Sequence, residues 1–452
     1  MSTAQAGHTA AEWKDKVIYQ IITDRFWRDD NSTSPCNDLH AYCGGTWNGI
    51  KNNLDYIKGM GFTAIWISPI PENMGNDYHG YAALDWNKVN SHFGSEQDLK
   101  DLVSSAHEKG IWVMLDVVAN HVAPVDEDYS KVTPFSDASM YHSKCQIDNW
   151  NDPGNVEYCR LANLPDLNQD NEFVRSTLKT WVKDTIDKFN FDGLRVDTVP
   201  EVKHEFWKEY NDAAGVYTVG EVFNGDIGLI ASYQGSLDAL LNYPLYFTMK
   251  DVFSSSNSMY GLRNLFTSEE GSFSDTSLLG NFIDNHDNER FLHSTGVPQM
   301  RAALTFALSA NGIPIMYYGT EQYFNGGNDP DDREPLWPSK LAHTEMYDWV
   351  ATINAAREST GWWKVKQVER WCDENFFAFT RGNVLMAFSN SFGSDQSRTI
   401  NYHDFSVGAE LVNIFDSNDK VTVENDGIHV TINNGQPKIY KVVTGYDTLL
   451  QK

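Results

Sequence analysis

Phe191-Asp192-Gly193-Leu194-Arg195-Val196-Asp197-Thr198 reads as a short apolar strand that ends in charge. Residues two apart in a strand share a face, so Arg195 and Asp197 point the same way. A guanidinium beside a carboxylate favours the ionised form of that carboxylate. An ionised carboxylate held at a strand end suits a nucleophile. The same octapeptide also reads as a structural ion pair capping a strand, and the rest of the chain has to decide between the two.

Outward from this stretch, apolar runs alternate with amphipathic helical segments. Val17 to Ile22, Phe62 to Ile67 and Ile111 to Val118 precede it as strands, with helices expected over Gly49 to Met60, Asp98 to Lys109 and Glu172 to Phe189. Val216 to Val219, Leu237 to Leu241, Leu278 to Ile283 and Ile313 to Tyr317 follow it, with helical stretches between. Near-continuous apolar strands of this kind suit a parallel sheet covered on both faces. Eight β/α repeats predict an α/β fold, a (β/α)8 TIM barrel with its site at the C-terminal strand ends. The loop-rich stretch after the third strand is far longer than an ordinary βα connection. Beyond Gly361 the period shortens, and Phe376 to Arg381, Val384 to Ser389, Val421 to Val423 and Ile428 to Ile432 read as antiparallel strands. The expected division is a barrel over 1–120 and 172–360, an inserted domain over 121–171, and a C-terminal β-sandwich over 361–452.

Composition narrows the function. In 452 residues, 41% are hydrophobic and 21% charged, as in globular proteins, and the net charge is -27. That charge repels phosphate backbones and anionic surfaces, which argues against nucleic acid and membranes as partners. The 14 Trp, 21 Tyr and 24 Phe are enough to floor a site for a neutral polyhydroxylated ligand as well as to build a core. Of five cysteines, Cys36 and Cys43 bracket one loop and Cys145 and Cys159 another, without histidines at zinc-finger spacing. Two local disulfides and one free thiol imply an oxidising compartment. Met1 to Ala11 is polar and has no apolar signal-peptide core. The expectation is therefore a secreted protein whose signal peptide is absent from this sequence, with Asn31-Ser32-Thr33 as a glycosylation sequon; a cytosolic chain is the alternative.

Three further acids stand at strand ends. Glu221 closes the strand after the one bearing Asp197, Asp287 lies in Phe282-Ile283-Asp284-Asn285-His286-Asp287, and Asp116 and His121 lie in Asp116-Val117-Val118-Ala119-Asn120-His121. One such acid is ordinarily a solvated or capping group. Acids at the ends of strands three, four, five and seven of one barrel converge on one rim. Two close carboxylates are what retaining glycoside hydrolysis uses, about 5–5.5 Å apart. Asp197 is the expected nucleophile, Glu221 the acid/base, having no cation adjacent in sequence, and Asp287 the group that stabilises oxocarbenium-like charge.

These segments resemble the α-amylase family of glycoside hydrolases, most closely its secreted fungal type. Asp116 to His121, Gly193 to Asp197, Gly220-Glu221-Val222 and Phe282 to Asp287 carry the likeness, with Tyr78-His79-Gly80-Tyr81 and Gly326 to Pro330 followed by Arg333. The resemblance implies retaining endo-hydrolysis of α-1,4-glucosidic bonds in starch, glycogen or maltooligosaccharides; a monomer is the expected state. Its alternatives are a transglycosylating or exo-acting relative, or a catalytically silent barrel. It implies His79, Tyr81, His121, Arg195, His286, Asp329 and Arg333 as substrate contacts. It implies disulfides Cys36–Cys43 and Cys145–Cys159, leaving Cys372 free. It also implies a structural Ca2+ held by Asn120, Glu157, Asp166 and a backbone carbonyl, here that of Glu201. The chain departs from the fungal pattern at Pro200-Glu201, where Lys-His is usual, at Ala82 in place of Trp, and at Glu289 in place of Pro.

Overall fold

The computed structural model describes residues 8–443, so most of the Met1 to Ala11 segment and the end of the last expected domain lie outside it. Eight short strands run in parallel: β1 (Ile18–Gln20), β2 (Ala64–Ile67), β3 (Trp112–Val117), β4 (Gly193–Val196), β5 (Tyr217–Gly220), β6 (Ala239–Leu240), β7 (Gly280–Asn281) and β8 (Ile313–Tyr317). They pair in the order β6-β5-β4-β3-β2-β1-β8-β7, and a parallel bridge from Leu241 to Gly280 joins the two ends into a closed barrel. The fold is the (β/α)8 barrel expected from the alternation.

Local sequence explains the pieces. The helix Glu96–Glu108 starts at Ser95, whose hydroxyl accepts from the Asp98 amide while the Asp98 carboxylate accepts from the Ser95 amide, a reciprocal cap. The helix Glu172–Phe189 starts at Asn171 and stops at Asn190, which adopts the left-handed conformation of a C-terminal cap. The helix expected over Gly49 to Met60 is two, Trp47–Asn52 and Leu54–Gly59, broken at Asn53. β6 and β7 are shorter than expected. Leu278 sits in a helical turn, and Phe282 and Ile283 are buried in irregular chain, so burial rather than pairing made that run apolar. At the base of the barrel Gly193 has no room for a side chain, since a Cβ there would lie 2.6 Å from the Trp13 ring.

Between β3 and the helix at Glu172 the chain forms turns and the short helix Pro153–Tyr158, and contributes no barrel strand. It carries the disulfide Cys145–Cys159; Cys36–Cys43 is also closed and Cys372 is free. After the helix Glu345–Thr360, eight antiparallel strands follow, including Val368–Cys372, Gln396–Ile400, Glu410–Asn413 and Lys438–Val442, which the sequence did not announce. Alternation explains how this sheet docks. Phe377, Phe379, Met386 and Phe388 join the barrel's core, while Phe376, Ala378, Leu385 and Ala387 face a second core closed by Leu411, Val423, Ile428 and Val430.

Phe306 is the hub of the junction: its ring lies 4.9 Å from Phe388, 5.9 Å from Phe379 and 6.1 Å from Phe377. Truncating a fully buried ring removes its transfer free energy and leaves a cavity. Phe306→Ala is therefore expected to lower the stability measured by denaturant unfolding by about 3–5 kcal/mol. A loss under about 1 kcal/mol would mean that the sheet and the barrel are not joined through this ring.

Candidate active site

Every expected catalytic acid reaches one guanidinium or its neighbours. Asp116 and Arg195 are register partners across β3 and β4, so their side chains share the barrel's inner face. Arg195 Nη1 donates to Asp116 Oδ1 at 3.0 Å and to Asp197 Oδ1 at 2.7 Å. Its Nη2 lies 3.2 Å from Glu221 Oε2. The absence of a cation beside Glu221 in sequence thus misled: in space the two carboxylates share Arg195. The side chain is buried, which leaves these acids as its partners.

Thr198 fixes Glu221 from behind. Its backbone is left-handed (φ 47°), a costly conformation for a β-branched residue. It aims the Thr198 amide at Glu221 Oε2, which accepts at 3.0 Å. Gly220 is needed for packing rather than for ligand approach, because a Cβ there would lie 2.5 Å from Leu237 and 2.8 Å from Val199.

Burial dominates the electrostatics. It raises Glu221 to about 8, with Asp197 and Asp287 adding to the shift and Arg195 opposing it. Burial likewise raises Asp197, to about 6, against the pull of Arg195. The sequence argument that Arg195 depresses Asp197 is therefore outweighed, but the order of the pair survives, with Asp197 the stronger acid. Asp116 is raised to about 6 by burial. Burial also acts to raise Asp287, but His286, Arg333 and Arg195 more than offset it and its pKa is lowered. Because burial pushes His286 itself down to about 3, the guanidiniums are the charges that act on Asp287 at neutral pH.

A wall of rings and amides completes the opening. Tyr81 Oη donates to Asp116 Oδ2 at 2.6 Å and lies 2.7 Å from His286 Nε2, with the two rings stacked 5.3 Å apart. Gln20 Nε2 lies 2.8 Å from the other His286 nitrogen, and Trp66 Nε1 donates to Asp116 Oδ2. His79 stacks on Tyr81, and His121 Nε2 meets the Tyr81 carbonyl at 3.1 Å. Burial pushes His79 to about 3 and His121 to about 4, so these imidazoles are neutral hydrogen-bonding groups. Arg333 donates from Nε to the His286 carbonyl and pairs with Asp329 at 3.0 Å and Asp287 at 3.5 Å. All ten residues expected to act on substrate thus fall in one cluster.

Sequence reasoning missed Gln20, Trp66 and Thr198, which lie on or next to barrel strands but only become neighbours on closure. It also missed Phe223, half exposed two residues beyond Glu221 and parallel to Phe247 at 6.3 Å. A hydrophobic ring left open beside an expected catalytic acid was the available signal. Ala82 is buried, its amide donating to Asn73, so it does not line the opening. Glu289 accepts from Lys250 at 3.1 Å and from Ser294 at 3.0 Å, which ties its loop down and accounts for its charge.

The expected metal ligands fall only partly together. The Asn120 carboxamide faces Asp166 Oδ1 and the Glu201 carbonyl. Turned one way, its nitrogen donates to them at 2.8 and 3.3 Å; turned the other, three oxygens converge. Such an oxygen set suits a hard cation. Asp166 is buried, raised to about 7 by that burial, and its other oxygen accepts from His142 Nδ1 at 2.6 Å. Glu157 is half-buried on the helix Pro153–Tyr158, which packs on the turn Val199–Glu201. His142 was not foreseen, being 24 residues from Asp166 in chain.

The model of the alpha amylase catalytic domain matches residues 20–404. The chain belongs to the alpha-amylase family. It is 43% identical over 368 residues to alpha-amylase 1 of Lipomyces kononenkoae, a match covering 77% of this chain and 59% of that longer relative. It is 38% identical over 456 residues to the alpha-amylase of Saccharomycopsis fibuligera, covering 95% and 92%. The solved alpha-amylase structure from Malbranchea cinnamomea superposes with a TM-score of 0.93 at 34% identity, covering 97% of this chain and 99% of that one. The chain is accordingly a glycoside hydrolase, and the acid cluster sits at the C-terminal ends of the barrel strands, the face that carries the site in TIM-barrel enzymes.

Proposed function

We propose that the protein cleaves internal α-1,4-glucosidic bonds of starch, glycogen and maltooligosaccharides with retention of configuration. The observation that carries this reading is the shared guanidinium: Arg195 holds Asp197 and Glu221 side by side while the stronger acid of the two remains Asp197. Asp197, ionised, attacks the anomeric carbon; the C–O bond to the leaving sugar breaks as Glu221 gives its proton to the departing oxygen. Glu221, now a carboxylate, takes a proton from water, whose oxygen attacks the same carbon and releases Asp197. Asp287, kept ionised by Arg333 and Arg195, faces the positive charge that develops on the ring and accepts from sugar hydroxyls. Tyr81, His79, His121, His286, Arg333 and Asp329 orient that sugar. With all three acids assembled, a silent barrel has no feature in its favour.

We assign the barrel to 1–120 and 172–360, the inserted unit to 121–171 and the β domain to 361–452, and read the protein as a secreted monomer. Asn120, Asp166 and the Glu201 carbonyl would hold calcium, with Glu157 on the adjoining helix. The ion, when bound, supplies the positive charge that lets these oxygens face each other across the join of barrel and insertion.

A size-resolved time course on soluble starch tests the reading: viscosity falls early with a spread of short products. Loss of one fixed short product from chain ends, with viscosity maintained, would contradict it. Removing calcium with a chelator is expected to lower Tm, because a ligand at about 100 times its Kd contributes about 2.7 kcal/mol. Equal Tm values with calcium and with chelator would remove the cation from the account.

A further inference from the structure

A line of hydrogen bonds runs through the buried side of the site, from Asp116 through Tyr81 and His286 to Gln20. Tyr81 Oη lies 2.6 Å from Asp116 Oδ2 and 2.7 Å from His286 Nε2, and Gln20 Nε2 lies 2.8 Å from His286 Nδ1. Each group constrains the next. Asp116 also accepts from Arg195 and from the Trp66 indole N–H, as an ionised carboxylate, which has no hydrogen of its own, must. The Tyr81 hydrogen therefore points at Asp116, and its oxygen turns a lone pair to His286. His286 Nε2 must then carry a hydrogen and donate it. A second oxygen agrees: Asp287 Oδ2 lies 3.3 Å from the same nitrogen, and a bare nitrogen would face lone pairs on both sides.

That leaves Nδ1. Burial pushes the His286 imidazole down to about 3, with Arg195, Arg333 and His79 acting the same way and Asp287 against them. A neutral ring with hydrogen on Nε2 has a bare, accepting Nδ1, and the group that meets it is the Gln20 carboxamide. Gln20 is buried at the end of β1, the register partner of Trp66. Its carboxamide oxygen is buried with no partner among the described residues. The bond to Nδ1 is therefore what orients the amide, and the direction of that bond is set from the Tyr81 side.

We propose that Gln20 is a positioning residue: its carboxamide N–H, held against His286 Nδ1, keeps the imidazole neutral and its hydrogen on Nε2. The ring then turns a donor into the site beside the acceptor Asp287, and one sugar hydroxyl can bond to both. This rests on the reading above, in which Asp287 faces the charge that develops on the sugar. An imidazolium in the same place would offset Asp287 and set a second positive charge near that sugar. Gln20 opposes it, because a nitrogen that already accepts an N–H has no free lone pair for a proton.

Neutron diffraction from crystals of the whole chain, exchanged into D2O at neutral pH, locates these hydrogens directly. The expected map has deuterium on His286 Nε2, none on Nδ1, and the nitrogen end of Gln20 facing Nδ1. Deuterium on Nδ1 would overturn the proposal, and the map does not depend on which bond the enzyme cuts. Gln20→Leu tests the role of the amide. It removes the donor while Asp287, Arg195, Arg333 and His79, and Asp116 behind Tyr81, stay in place. Nitrogen-15 spectra of histidine-labelled protein, with the His286 signals assigned by their loss in His286→Gln, follow the ring as pH falls. The variant's ring should take up its proton at a pH about one unit higher than the parent's, the worth of one hydrogen bond to the neutral form. A packing role alone would not move that titration. Identical His286 titrations in parent and variant would overturn the proposal.

Discussion

Glu221→Gln is expected to lower kcat on starch by about 10²–10⁴-fold, the usual contribution of a positioned general acid, while leaving the fold and the calcium-dependent Tm in place. The amide keeps the shape and can still accept from the Thr198 amide and face Arg195. It cannot give a proton to the leaving oxygen. The pH profile makes the prediction sharper. In the free protein Asp197 titrates near 6 and Glu221 near 8, so kcat/KM rises as Asp197 loses its proton and falls as Glu221 loses its own. A raised acid is active below its pKa, which places the loss on the alkaline side. Glutamine does not titrate, so the variant's residual activity should lack the alkaline limb. An alkaline limb that persists unchanged would assign the proton to another group.

Asp197→Asn is expected to do more, on the order of 10⁴-fold or beyond, because loss of a nucleophile abolishes the covalent route rather than one proton transfer. The side chain is nearly buried and its neutral isostere can still meet Arg195 Nη1. Arg195 then keeps Asp116 and Glu221 as its carboxylate partners, so no cation is stranded. Removing the Asp197 charge also takes away one of the influences that raise Glu221, so Glu221 should become a stronger acid. The measurement is residual hydrolysis at saturating maltooligosaccharide, with binding followed separately. A variant that binds and turns over within about tenfold of the parent would exclude Asp197 as the nucleophile.

How far the sequence reaches is clear from particular residues. Arg195 and Asp197 are two apart in a strand, and that spacing alone put them on one face; the structure has them 2.7 Å apart. Asp116 was visible as an acid at a strand end, but its bond to Arg195 depends on the register of β3 against β4, which no local pattern encodes. The same holds for Gln20 and Trp66, brought to His286 and Asp116 only when β1 and β2 close against their neighbours. Arg195 beside Glu221 reversed an inference made from sequence adjacency, since adjacency says nothing about a partner on the next strand. Burial raised Asp197 where the pair had suggested depression, because a short sequence shows charge but not the solvent that is lost. In the tail, Phe376–Arg381 and Val384–Ser389 were legible as apolar runs. Gln396–Ile400 is a polar strand at the edge of the sheet, and Glu410–Asn413 is a four-residue inner strand paired on both sides; the strand character of both comes from their partners, and they were not.

The most direct measurement is to trap the sugar on the enzyme. A maltosyl fluoride needs little help from a general acid, since fluoride leaves readily, so Glu221→Gln should form the glycosyl-enzyme at a useful rate. It then lacks the base that would clear it. Mass spectrometry of the digested variant should find one maltosyl unit esterified to the peptide that contains Asp197. A sugar on a different carboxylate, or turnover with no covalent adduct at any time, would contradict the assignment of Asp197 and with it the retaining mechanism.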